Sequence, residues 1–153
     1  MSPTPPPSDL HDHLGYWLRM VSNAVSQDFA REIEGQGVTV AEWVFLRALH
    51  DADCLAPSLL AERMGMTKGA ISKLADRLSE KKLVQRAPNP EDGRGQMLSL
   101  TPAGRALVPE LARIADGNDA AFFDTLAPAE RDHLGALLRK IARAHELTRA
   151  PVD

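Results

Sequence analysis

Cysteine, aromatic residues and long apolar stretches are all scarce in this chain of 153 residues. Cys54 has no second cysteine to pair with, which excludes an internal disulfide and favours a reducing, cytoplasmic location. The longest stretch without Asp, Glu, Lys or Arg is the ten residues from Gly95 to Gly104. A membrane-spanning helix needs about 20 apolar residues, so no membrane partner is expected. The first basic residue is Arg19, which also argues against a secretory signal.

Charge of both signs is plentiful but unevenly distributed. The whole chain has a net charge of −3, yet residues 56–105 carry nine Lys or Arg against five Asp or Glu. The remaining residues carry nine basic and sixteen acidic side chains. A basic segment between acidic flanks indicates a local anionic partner such as nucleic acid.

The first half of the chain predicts an arm followed by four helices. Residues 1–8 contain four prolines and no apolar pattern, which is typical of a disordered arm. Apolar residues then recur every three or four positions as far as Ile33, with Asp9 as the expected N-cap and "GQG" at 35–37 as the stop. Thr39 with Glu42 starts a second helix as a capping box, "SLLAERMG" is a third, and Thr67 caps a fourth that runs to about Lys81.

The second half predicts one hairpin and two more helices. "LVQRAP" and "GQMLSLT" are compatible with strands, and "NPEDGRG" between them is a turn. Thr101 with Pro102 starts a helix, and Pro128 marks the break before the last one. The fold class is therefore mainly α (α+β). The elements group into a long helix at 9–36, a segment of short helices with the hairpin at 38–101, further helices at 102–147 and a tail at 148–153.

Two short helices joined by a turn with Gly, followed by a hairpin, make a winged helix-turn-helix. The fourth helix collects apolar residues on one side and small or basic residues on the other. The major groove of B-DNA admits one helix, and small residues let its backbone approach the base edges. An Arg at the hairpin tip can enter the minor groove, where negative potential is concentrated. The candidate DNA contacts are Thr67, Lys68, Gly69, Ser72, Lys73, Arg77, Arg86 and Arg94, with Asp92 orienting Arg94 through an ion pair.

These motifs resemble the MarR (multiple antibiotic resistance regulator) family of bacterial transcription factors over residues 10–147. The resemblance is strongest in "LAERMGMTKGAISKLADRLSEKKLVQR" and "PEDGRGQMLSLTPAGRAL". It implies a homodimer in which the dimerisation helices at 9–36 and 102–147 intertwine, and a DNA-binding lobe at 38–101 that binds a pseudo-palindromic double-stranded DNA operator. It also implies a regulator, most simply a repressor, released by a small effector. One position departs from the family pattern: Lys82 stands where Gly is usual, which costs about 1 kcal/mol if the backbone there is left-handed. Its extra charge near Arg86 could help to hold phosphate.

The resemblance also implies an effector pocket for an aromatic or anionic molecule between the dimer helices and the DNA-binding lobe. Two Trp could stack on a ring, and an Arg or His could meet a carboxylate. The candidates are His13, Trp17, Met20, Trp43 and Arg47. The alternative is that both Trp belong to the core and that Arg47 is a surface residue.

Other functions have weaker signals. His11 and His13, with Asp9 and Asp12, suggest a metal-responsive protein, but a spacing of two on a helix points the side chains apart. Cys54 suggests a redox sensor, but its charged neighbours are acidic, whereas basic ones favour a reactive thiolate. A winged helix that binds only protein is a further alternative. Neither a phosphate-binding loop nor a catalytic triad pattern occurs, so we expect no enzyme activity, metal or cofactor.

Overall fold

The computed structural model describes residues 1–89, 91 and 95–152. Within this part, six α-helices and one hairpin follow in the predicted order, which confirms a mainly α fold with one small sheet. The helices are α1 (Leu14–Glu34), α2 (Val40–His50), α3 (Pro57–Met64), α4 (Lys68–Glu80), α5 (Pro102–Phe122) and α6 (Pro128–Ala144). The strands are β1 (Val84–Pro88) and β2 (Gln96–Leu100), which pair antiparallel.

Three of the helices begin at threonines, as the sequence predicts. The hydroxyls of Thr39, Thr67 and Thr101 each accept a backbone N–H three residues later, at 3.1 Å in every case. The start of α1 differs from expectation. Asp9 caps a short 3₁₀ turn at Leu10–Asp12, and α1 begins after it without a side-chain cap, because Asp9 and Asp12 satisfy each other's backbone N–H groups locally.

The core lies between α2, α3, α4 and the two strands, with the middle of α5 closing one side. Its members are aliphatic apart from one phenylalanine, and the fully buried ones include Phe45, Leu46, Leu49, Leu60, Ile71, Leu78, Leu98, Val108 and Leu111. The sheet is attached to this core by an extra bridge from Leu55 to Leu98. Contact between α5 and the hairpin is close at Gly104, where an added Cβ would lie 2.1 Å from the carbonyl oxygen of Leu83.

The long helix α1 packs along α5. Asn118 of α5 is buried in this contact, at 6% exposure, and its amide donates to the carbonyl of Val25 at 3.3 Å. The rest of the apolar surface of α1 and α6 is not covered. Large apolar side chains that remain exposed are Leu14, Trp17, Leu18, Met20, Val21, Leu137, Leu138 and Ile141.

The C-terminal residues after α6 return to the end of α3. Arg149 donates to the carbonyl of Glu62 at 3.0 Å and lies directly over Gly65, the left-handed residue that ends α3. No helix in the described part of the chain is both long and apolar enough to cross a membrane.

Candidate nucleic-acid interface

The helix α4 presents a narrow polar face to solvent. Ile71, Leu74, Ala75 and Leu78 are buried against the core, which leaves the opposite side of the helix free. The exposed side chains on that face are Lys68, Ser72, Lys73, Asp76 and Arg77, with Gly69 among them. The periodicity of the sequence therefore placed this face correctly.

The N-terminal end of α4 has a capping threonine and a glycine with open space around it. Thr67 caps the helix through its hydroxyl, so its own side chain is engaged with the N–H of Ala70. Gly69 has no neighbour that requires its small size, since an added Cβ would find only the Thr67 hydroxyl, at 4.0 Å. The first N–H groups of a helix carry partial positive charge and favour anions. Lys68 adds a full charge at the same end.

Arg86 of β1 makes a contact that the sequence did not predict. Its guanidinium lies 2.8 Å from the Asp76 carboxylate and 3.4 Å from the Ser72 carbonyl, which ties the first strand of the hairpin to α4. The pair neutralises Asp76, and the other exposed acidic side chain of α4, Glu80, lies at the C-terminal end of the helix. Asp92 and Arg94, the candidate contacts at the hairpin tip, lie outside the described residues.

Lys81, directly after α4, reaches back to the start of α2. Its ammonium donates to both carboxylate oxygens of Glu42, at 2.8 and 3.0 Å, and to the carbonyl of Gly37 at 2.7 Å. Glu42 is 1% exposed and also accepts the backbone N–H of Thr39. Burial raises the pKa of Glu42, but the hydrogen bonds from Lys81 and Thr39, with the charge of Lys81, outweigh it and hold the pKa below its usual value.

The backbone at Lys82 is left-handed, with φ of 61°. Its N–H donates to the carbonyl of Ser79 at 3.0 Å, and its carbonyl accepts the hydroxyl of Thr101 at 2.7 Å. These contacts hold the turn between α4 and β1 in place. The left-handed backbone that makes a side chain costly at this position is therefore present.

The sequence of this chain is similar to those of known DNA-binding regulators. A family model described as MarR family matches residues 36–95. The HTH-type transcriptional repressor MdtR of Bacillus subtilis is 30% identical over 129 residues, which cover 84% of this chain and 83% of MdtR. The chain belongs to the MarR family. It is accordingly a transcriptional regulator and not an enzyme.

Two solved structures of MarR-family proteins are similar over nearly their whole length. A mutant of MarR from Escherichia coli, complexed with operator DNA, has a TM-score of 0.74 at 28% identity, and the match covers 88% of this chain and 99% of that one. Bordetella bronchiseptica BpsR, whose DNA binding is regulated by 6-hydroxynicotinic acid, has a TM-score of 0.75 at 29% identity. Here the match covers 90% of this chain and 98% of BpsR.

The candidate effector residues of this MarR-family chain fall into two groups. Trp43 and Arg47 line one cavity of about 360 Å³ together with Arg63, and Arg47 is paired with Asp51 at 2.7 Å. Trp43 is half-buried, with its ring edge toward Phe29.

The other three candidates lie near the start of α1. Trp17 and Met20 are exposed, and the indole N–H of Trp17 donates to the carbonyl of His11 at 2.8 Å. The twelve residues from Trp17 to Phe29 span about 18 Å of helix, so one chain alone does not bring the two groups together.

The residues considered for metal binding or redox sensing are His11, His13 and Cys54. His11 lies 3.3 Å from the Asp9 carboxylate, and the His13 ring faces the hydroxyl of Ser8 at 3.4 Å. Among the described residues, no group of three or more His, Cys, Asp or Glu is arranged to hold a metal ion. Cys54 is half-buried in the loop between α2 and α3.

Proposed function

We propose that this protein binds double-stranded DNA as a homodimer and regulates transcription, as a repressor that a small aromatic or anionic effector releases. The observation that carries the proposal is the outer face of α4. It combines the cations Lys68, Lys73 and Arg77 with two small residues. Of its two acidic groups, Asp76 is already neutralised by Arg86 and Glu80 lies at the C-terminal end of the helix. A helix of this kind suits the major groove, with most of its affinity coming from phosphate contacts.

Each proposed contact has a separate role. Lys68 and the free N–H groups behind Thr67 bind phosphate at the edge of the groove. Gly69 and Ser72 let the backbone approach the bases, while Lys73 and Arg77 reach bases or phosphates. Arg94, oriented by Asp92, enters the minor groove, and Arg86 lies near the adjacent backbone.

The uncovered apolar face of α1 and α6 supports the homodimer. Trp17 and Leu18 of α1 and Leu138 and Ile141 of α6 are each 43–50% exposed, although they occupy one side of their helices. Burying a side chain of this size contributes about 1.5–3 kcal/mol, so a second copy would gain considerably from covering the face. Two α4 helices could then enter grooves about 34–36 Å apart.

A salt titration tests DNA binding. The probe is a duplex selected by the wild-type protein from a random-sequence pool, and the variants are Arg77→Ala and Arg94→Ala. Each change should weaken binding and lower the slope of log K against log salt by about one, because one phosphate contact is lost. Arg113→Ala, an exposed arginine on α5, is the matched control. Equal slopes for all four proteins, or no duplex binding in dilute buffer, would refute the proposal.

Sedimentation equilibrium tests the homodimer. Ile141→Asp places a charge in the proposed interface and should give a monomer at micromolar concentration, because an unpaired charge is costly to bury. Ala136→Asp places the same charge on the opposite, exposed side of α6 and should leave the dimer intact. A wild-type monomer, or an unchanged dimer in Ile141→Asp, contradicts the assignment.

A thermal-shift measurement tests the effector site. The cavity at Trp43 and Arg47 has an aromatic wall and is also lined by Arg63 and by Asp51, which pairs with Arg47. Two guanidinium groups against one carboxylate leave a net positive charge, which suits a small aromatic carboxylate. With 6-hydroxynicotinic acid as the first probe, the melting temperature should rise, and Arg47→Ala should reduce the rise. A shift that Arg47→Ala leaves unchanged would place the effector elsewhere.

A further inference from the structure

The ammonium of Lys81 joins the end of α4 to a short segment that lies far from it in the sequence. Lys81 follows the last residue of α4, Gly37 follows α1, and Glu42 lies in the first turn of α2. All three Lys81 hydrogen bonds are 3.0 Å or shorter, and they bridge separations of 44 and 39 residues. The C-terminal end of α4 is therefore attached to the junction where α1 ends and α2 begins.

We infer that Lys81 is a positioning residue for DNA recognition, holding α4 at a fixed angle to the junction of α1 and α2. The inference rests on the proposed DNA-binding homodimer and adds to it. It gives the buried carboxylate of Glu42 a second role, because it accepts hydrogen bonds from the Lys81 ammonium as well as from the N–H of Thr39.

A small change in the angle of α4 would displace its N-terminal end by a distance that matters for DNA recognition. The helix has 13 residues and is therefore about 20 Å long. A pivot of about 10° moves its far end by about 3.4 Å, which equals one base-pair step of B-DNA. Because α1 carries the exposed apolar face, its junction with α2 also relates each α4 to the proposed dimer axis. A loosened junction would let the two α4 helices bind half-sites at several separations.

The ion pair between Arg86 and Asp76, which also holds α4, is less suited to this role. It is short, but the Asp76 side chain is 59% exposed and that of Arg86 is 34% exposed. Exposed ion pairs are weakened by water and salt. The Lys81 side chain is similarly exposed, at 39%, but that of Glu42 is 1% exposed, so the pair of Glu42 with Lys81 is screened less.

Binding to duplexes of altered half-site spacing tests the inference. The probes are the duplex selected from a random pool by wild-type protein, and two derivatives with one base pair inserted or removed between the half-sites. Lys81→Met should weaken binding to the selected duplex by about tenfold while changing binding to the derivatives much less, so that the preference for one spacing is largely lost. Lys81→Arg, which keeps the charge and hydrogen-bond donors, should restore most of the preference.

Two further variants separate positioning from loss of charge and from misfolding. Lys82→Met removes a neighbouring positive charge and should weaken binding to all three duplexes by the same factor. Lys81→Met with Glu42→Gln removes the unpaired buried charge, so it should fold normally and still lack the spacing preference. If either variant that carries Lys81→Met keeps the wild-type ratios between duplexes, as Lys82→Met does, the inference is wrong. A wild-type protein that binds no duplex refutes the proposed function instead.

Discussion

Replacing Lys82 by glycine should stabilise the protein. The residue has φ of 61°, where a side chain collides with the following carbonyl at a cost of about 1–2 kcal/mol. Glycine removes this collision but adds freedom to the unfolded chain, which offsets about 0.4–1 kcal/mol. The two contacts that hold the turn, from Lys82 N–H to Ser79 and from Thr101 to the Lys82 carbonyl, involve only the backbone of residue 82 and remain. The expected net gain is about 1 kcal/mol.

Thermal unfolding at one protein concentration measures this gain. For a chain of this length, about 1 kcal/mol corresponds to a rise of about 2–4 °C in Tm. The concentration must be fixed because association of subunits also raises Tm. Lys82→Ala is the matched control, since it removes the same charge and side chain but keeps the Cβ that causes the strain.

Lys82→Gly and Lys82→Ala differ only in the Cβ of residue 82, so their difference in stability measures the backbone strain. Lys82→Ala should change the free energy of unfolding by less than about 0.5 kcal/mol, as most surface substitutions do. If Lys82→Gly is no more stable than Lys82→Ala, the left-handed backbone carries no measurable strain and the reasoning fails.

Two further predictions concern stability. Gly104→Ala should lower the free energy of unfolding by about 3 kcal/mol or more, because its Cβ would lie 2.1 Å from the Leu83 carbonyl oxygen. Gly117→Ala on the same helix meets nothing within 4 Å and should be neutral or stabilising. Equal denaturant midpoints for the two variants would contradict the close contact at Gly104. The lowered pKa of Glu42 contributes stability that is complete above the ordinary glutamate pKa of about 4.3 and is lost as pH falls through the lowered value. The free energy of unfolding of the wild-type protein should therefore fall more below about pH 4 than that of Glu42→Gln. If the two proteins show the same dependence on pH, Lys81 does not stabilise the ionised form of Glu42.

The features that the sequence predicted well are local. The caps at Thr39, Thr67 and Thr101 each involve residues three apart, and so does the box formed by Thr39 and Glu42. Helical periodicity also identified the buried and exposed sides of α4, because both follow from 3.6 residues per turn. Local signals of this kind do not depend on how the chain folds back on itself.

The features that the sequence did not predict depend on distant parts of the chain. Glu42 was assigned as half of a capping box, but its second partner, Lys81, is 39 residues away and looks like any other surface lysine. Arg86 was considered as a phosphate contact, and its pairing with Asp76 became visible only once the strand was placed beside α4. At Asp9 a local signal was assigned to the wrong element, since the 3₁₀ turn precedes the helix.

The buried amide of Asn118 limits how the two long helices can move against each other. It bonds the Val25 carbonyl at the contact between α1 and α5. Sliding one helix along the other would strand the amide without an acceptor, at a cost of about 1–3 kcal/mol, while a small rotation would preserve the bond. Movements of α1 relative to α5 should therefore be small rotations that keep the Asn118 bond, and not translations along the helix axes.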